Sequence, residues 1–134
     1  MAEEIKIKIG SAVPVEEELT MTVKGRDHLT GLPRSIELGT NEVVRAISRE
    51  LRTMVSAMRD VLQETPPELA SDIIDNGITM TGGSSQLRNY TELIYRRTGV
   101  KAHLAKDAPY CVAKGTGEAL KHLDVYKKAI ISKR

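Results

Sequence analysis

The chain has 134 residues, the size of one ordinary domain able to bury roughly two-thirds of the surface its unfolded form exposes. Its 40% hydrophobic and 28% charged residues, without a low-complexity tract, exclude a disordered chain. Phe and Trp are absent and 20 basic residues nearly balance 18 acidic ones, so the aromatic stacking platforms and basic stripe of a single-strand nucleic-acid binder are missing; the core is expected to be built from Ile, Leu, Val and Met.

Residues 1–10, Met-Ala-Glu-Glu-Ile-Lys-Ile-Lys-Ile-Gly, read as the interior and end of a helix with Gly10 as its C-cap. No capping residue precedes it, so the chain is expected to start inside an element, as a truncated chain would. From Leu19 the pattern has period two, with Leu19, Met21 and Val23 on one face and Thr20 and Thr22 on the other. A turn over residues 25–33 and a returning strand over 35–38 complete an antiparallel pair. Thr40 then opens a long helix in which Val43, Val44, Ile47, Leu51, Met54, Val55, Met58, Val61 and Leu62 form one apolar stripe. Thr65-Pro66-Pro67 breaks it. A short helix follows, with Pro67 in its first turn and Asn76-Gly77 as a left-handed end.

After Gly77 strand and helix alternate: a strand over 78–81, a helix over 85–98 closed by Gly99, a strand over 100–105 and a helix over 109–123. Such alternation predicts parallel strands joined by a right-handed crossover. The division expected is a small subdomain with antiparallel strands and flanking long helices over 1–62, a larger α/β subdomain over 63–123, and a basic tail over 124–134 ending in Lys127, Lys128, Lys133 and Arg134. The tail reads as a solvated run. Cys111, the single cysteine, cannot pair within the chain and is expected to be a buried structural thiol in a reducing compartment. Neither a membrane-length apolar run nor a signal-peptide pattern is present, so a cytoplasmic protein is the expectation.

Two constellations could carry chemistry. Thr81-Gly82-Gly83-Ser84-Ser85 stands between a short strand and a helix, where glycines admit a ligand to the backbone and the helix start favours phosphate or ribose oxygens. It matches neither a Walker A loop nor the Rossmann fingerprint, and a tight turn with Ser84 or Ser85 as N-cap explains it equally. Glu3 and Lys6 lie three apart on one helix face. There a carboxylate can accept from a ribose hydroxyl and a lysine stem can lie along a purine; an exposed ion pair explains the spacing too. His28, His103 and His122 have no partner at metal-ligand spacing, and Asp72, Asp75 and Asp107 read as charges at helix ends. Catalytic and metal-ligating residues are not assigned.

Five segments taken in order resemble one family. Residues 2–12, Ala-Glu-Glu-Ile-Lys-Ile-Lys-Ile-Gly-Ser-Ala, are similar to the MreB segment that opens the small subdomain of its second domain, with Met1 where that family has threonine. Val23-Lys24-Gly25-Arg26-Asp27 with Thr30-Gly31-Leu32-Pro33 resembles its strand and turn. Residues 65–77, Thr-Pro-Pro-Glu-Leu-Ala-Ser-Asp-Ile-Ile-Asp-Asn-Gly, resemble its most recognisable stretch; Thr81-Gly82-Gly83 and Cys111-Val112-Ala113-Lys114-Gly115-Thr116-Gly117 complete the set. Where that family usually has a third glycine, this chain has Ser84.

The resemblance covers residues 2 to about 123. It implies an α/β, actin-like second domain of the actin and Hsp70 ATPase superfamily, bearing a small inserted α+β subdomain. It further implies a filament-forming, ATP-dependent cytoskeletal protein of bacterial cell shape, cytoplasmic and membrane-associated through partners. In such a protein the adenosine of ATP rests between the Glu-Glu-Ile-Lys helix and the glycine turn, which makes Glu3, Glu4, Lys6, Gly82, Gly83, Ser84, Ser85 and Gln86 the expected nucleotide contacts. The first phosphate loop, the Mg²⁺-positioning acid and the catalytic glutamate of that family belong to its other half, so this chain alone is expected not to hydrolyse ATP. Self-association into filaments and a RodZ-like shape protein docking on the helices over 67–76 and 85–98 are the partners implied. Two alternatives stay open: a docking module with no nucleotide role, or part of another actin, Hsp70 or sugar-kinase superfamily ATPase.

Overall fold

The computed structural model describes residues 1–126; Lys127, Lys128, Lys133 and Arg134 of the expected basic tail lie outside the described residues. Two compact units are present, one of Met1–Ile78 with Leu87–His103 and one of Thr79–Gln86 with the chain from Leu104 onward.

The first unit is built on a hairpin and a long helix. Strands β1 (Thr20–Arg26) and β2 (Pro33–Gly39) are antiparallel, with Met21 opposite Leu38 and Val23 opposite Ile36. The period-two pattern thus puts its apolar residues in cross-strand pairs. The connecting turn is organised by Asp27, whose carboxylate accepts from the Leu29 and Thr30 amides, from the Thr30 hydroxyl and from Arg34. The Thr30 amide first, and the Arg34 guanidinium second, hold its carboxyl below the usual range.

Helix α2 (Thr40–Glu64) begins where sequence periodicity places it, with a start signal that periodicity does not contain. Its N-cap is Gly39, which has no side chain to offer the orphan amides. Glu18, before β1, supplies one instead: its carboxylate accepts the Asn41 N–H at 2.9 Å, while Glu42 reaches back to the Gly39 N–H at 2.9 Å. Thr40, fully buried, exchanges hydrogen bonds with the backbone of Leu19, and the Asn41 amide does the same with Val15. Val44, Leu51 and Val55 of the predicted stripe are buried, each contributing about 2 kcal/mol of transfer free energy. The stripe is narrower than expected, since Met54 and Val61 face solvent. Helix α3 (Pro67–Asn76) follows and ends at Gly77, whose φ of 77° is positive as expected but whose ψ of −169° lies outside the left-handed helical cap expected there.

Two features correct the sequence reading. The single helix expected over 85–98 is a 3-10 turn at Gly83–Gln86 and then helix α4 (Tyr90–Thr98), separated by Asn89 at φ 59°. Tertiary hydrogen bonds outweigh helix propensity at the break. The Arg88 carbonyl accepts the Ala12 N–H at 2.8 Å, the Arg88 guanidinium donates twice to the Gly10 carbonyl, and the Asn89 amide donates to the buried Ser11 hydroxyl at 3.1 Å. Asparagine tolerates the left-handed backbone that results. Second, the core is not purely aliphatic: Tyr90 is 3% exposed, its hydroxyl meets the Met54 sulfur, and burial pushes its phenol up.

Strands β3 (Ile78–Met80) and β4 (Ala102–Leu104) pair with each other. Ile78 donates to the Lys101 carbonyl and Ala105 to that of Met80; partners that advance together define parallel strands, as the alternation predicts. In the second unit a 3-10 turn, Ala108–Tyr110, precedes helix α5 (Cys111–Lys121), so the helix expected over 109–123 begins later and is interrupted at His122 before helix resumes at Leu123. Asp107, left-handed at φ 55°, pairs with Lys114. Cys111 is half-buried rather than buried, its thiol close to the Lys106 and Asp107 carbonyls; an α5 with no buried residue leaves nothing to enclose it. Among the described residues no helix is long and apolar enough to cross a membrane.

Candidate functional site

The two constellations singled out in the sequence fall in different units. In the first unit, α1 (Ala2–Ile9) is anchored at its end by Ile9, which is buried, and by the hydrogen bonds from Arg88 to Gly10. Glu3 and Lys6 share a face but are not paired: the intrahelical ion pair is Glu4 with Lys8, at 2.7 Å. The Lys8 ammonium, through its hydrogen bond first and its charge second, holds the Glu4 carboxyl below the usual range. Glu3 and half-buried Lys6 have no ion-pair partner among the described residues, so a carboxylate and an ammonium on one rigid helix remain available to a ligand. The ion-pair explanation of their spacing therefore fails.

In the second unit, β3 ends at Met80 and the chain turns through Thr81 and Gly82, the latter at φ 87°. The Gly82 N–H donates to the Ala108 carbonyl at 2.8 Å, and its carbonyl accepts the buried Ser85 hydroxyl at 2.6 Å. Ser85 thus braces the turn and does not offer its hydroxyl outward. Gly82 and Gly83 are open: a Cβ built on either meets nothing within 4 Å. The positive φ accounts for glycine at 82, but no intramolecular contact and no left-handed backbone demands it at 83. What a missing Cβ does there is leave the main chain reachable by a ligand. Ser84 also lacks positive φ, so serine is accommodated where the resembling family has glycine. Ser84 and Gln86 are exposed. The helix dipole expected behind this turn is absent, because a four-residue 3-10 turn stands where a long helix was predicted. Among the described residues no three His, Cys, Asp or Glu side chains stand together where they could hold a metal ion.

A profile of the family described as MreB/Mbl protein matches residues 1–128. The chain belongs to that family. Among curated relatives, the cell shape-determining protein MreB of Escherichia coli K12 is 42% identical over 125 residues, covering 93% of this chain and 36% of the relative. The cell shape-determining protein Mbl of Bacillus subtilis 168 is 37% identical over 131 residues, covering 98% and 39%. The chain thus spans little more than a third of the length of these MreB and Mbl proteins. Two solved structures of MreB5 from Spiroplasma citri, one bound to ADP and one to AMPPNP, superpose with a TM-score of 0.85 at 33% and 30% identity. They match 96% of this chain and 38% and 39% of theirs. The actin-like α/β fold expected from the sequence is the fold found.

Proposed function

We propose that this chain supplies the adenosine-side contacts of an ATP site in a filament-forming, actin-like protein of bacterial cell shape, cytoplasmic and membrane-associated through partners. The observation that carries the reading is the open main chain at Gly82 and Gly83 in a chain that superposes on nucleotide-bound MreB5. Glu3 accepts from a ribose hydroxyl, and the Lys6 stem lies along the purine with its ammonium near acceptor atoms. Gly82, Gly83, Ser84 and Gln86 approach the nucleotide through backbone and polar side chains, Ser85 sets the turn, and Glu4 acts through Lys8. Bound ATP would bring the phosphoanhydride and its Mg²⁺; no residue of this chain is assigned as a metal ligand or as the group that orients the attacking water, so hydrolysis by the chain alone is not expected.

Titrating the labelled chain with ATP to millimolar concentration is expected to move the amides of Glu3, Lys6, Gly82 and Gly83, with phosphate release no faster than in buffer. Unmoved amides at all four positions would remove the nucleotide reading, and turnover above buffer would overturn its non-catalytic part. A second reading, docking of a RodZ-like shape protein, is favoured by α3, where Leu69 and Ile74 are 55% and 66% exposed. Leu69→Asp with Ile74→Asp is expected to abolish capture by such a partner without disturbing ATP-induced shifts; unchanged capture would move the partner elsewhere.

A further inference from the structure

Within the first unit, α2, α4 and the segment 12–14 enclose a groove of about 800 Å³ that the nucleotide reading does not use and that no residue of α3 lines; only α4 is shared with the helices on which a RodZ-like partner is expected. Its floor is apolar, formed in part by Val13, Leu51 and Val55. Its rim is cationic: Arg45, Arg52 and Arg59 of α2 and Arg96 and Arg97 of α4, with no Asp or Glu in the lining. Only Arg96 is neutralised, by Glu92 at 2.7 Å; the other four have no carboxylate partner among the described residues. Four guanidiniums whose charge no carboxylate balances, around a hydrophobic floor, repel one another and favour an occupant that is apolar on one side and anionic on the other.

The spacing narrows the class of occupant. Arg45, Arg52 and Arg59 recur every seven residues, which keeps them on one side of α2 with a drift of only about 20° per step. Successive positions are about 10.5 Å apart and the row is about 21 Å long. A partner helix lying along α2 presents carboxylates with the same seven-residue period, and its apolar positions three and four residues on face the floor. Ser56, a short exposed side chain at the rim, leaves width for it, while the Arg52 guanidinium rests on Ser48, donating to its carbonyl and hydroxyl. We propose that this groove docks an acidic amphipathic helix of a partner protein, about four turns long, with Glu or Asp at heptad spacing.

The probe is a fluorescein-labelled, hydrocarbon-stapled 15-residue peptide with Glu at its first, eighth and fifteenth positions and Leu at the intervening core positions, measured by anisotropy against the full chain. Saturation at about 50 µM is expected, weakened about tenfold or more by Arg45→Glu with Arg59→Glu and by exchanging the peptide's Glu for Gln. Circular dichroism checks that the charge-reversed chain folds. Should it not, Ser56→Trp, an exposed position whose larger side chain fills the groove, is expected to abolish binding with the melting temperature unchanged. No saturation by about 1 mM, affinity indifferent to the charge reversals or to Ser56→Trp, or co-sedimentation with phosphatidylserine vesicles in place of peptide binding would each overturn the proposal. ATP-induced shifts at Glu3 and Gly83 are independent of all these outcomes, so its failure leaves the nucleotide reading standing.

Discussion

Gly10→Ala is expected to destabilise the chain by about 3 kcal/mol, lowering its melting temperature by about 10 °C, and to weaken ATP-induced shifts at Glu3 and Lys6. The cause is not backbone freedom, because Gly10 has φ −68° and ψ 149°, which any residue adopts. It is crowding. A Cβ there would stand 2.3 Å from the Lys6 carbonyl oxygen and 3.2 Å from a Leu87 methyl. That carbonyl accepts the Gly10 N–H at 3.0 Å, and the Gly10 carbonyl receives the Arg88 guanidinium. Alanine therefore has to unwind the last turn of α1 or draw residue 10 away from Arg88, and either change moves the helix that carries Glu3 and Lys6. Circular dichroism melting together with the ATP titration checks both parts. An unchanged melting temperature would show that the end of α1 yields without cost.

The sequence located Gly10 but not its reason, and the same division runs through the molecule. Hairpin, long helix and parallel pair were legible because their signals are periodic and local: Met21 and Val23 alternate, Val44, Leu51 and Val55 recur at helical spacing, and Pro67 and Gly77 bracket α3. What was not legible depends on partners far along the chain. Asn89 leaves the helix because Ser11, 78 residues earlier, holds its amide, and Gly39 can cap α2 because Glu18 lends a carboxylate. At the candidate site, residue types and resemblance named the positions, whereas only the structure distinguishes Glu3, unpaired, from Glu4, tied to Lys8, or open Gly83 from Ser85 with its hydroxyl turned inward. The arginine groove has a signal that could have found it, the seven-residue recurrence of Arg45, Arg52 and Arg59.

Gly77→Ala is expected to cost more than Gly10→Ala, about 4 kcal/mol, because two effects add there. The backbone has φ 77° and ψ −169°, a region that is nearly glycine's alone. A Cβ would also stand 2.6 Å from the Lys101 carbonyl oxygen, the acceptor of the Ile78 N–H at 2.8 Å that begins the pairing of β3 with β4. Gly99 gives the cost of ordinary left-handed backbone for comparison: it has φ 75° and ψ −5°, and a Cβ built on it meets nothing within 4 Å. Gly99→Ala should therefore show left-handed strain alone, about 1 kcal/mol, and the larger loss in Gly77→Ala combines the costlier backbone of position 77 with the crowding against Lys101. Amide exchange adds the structural readout. In Gly77→Ala the Ile78 and Ala105 amides should lose protection together, since both belong to the β3–β4 ladder, while the hairpin amides of β1 and β2 keep theirs. A loss in Gly77→Ala no larger than in Gly99→Ala would mean that neither the backbone of position 77 nor the Lys101 carbonyl costs more than ordinary left-handed strain, and would overturn the prediction.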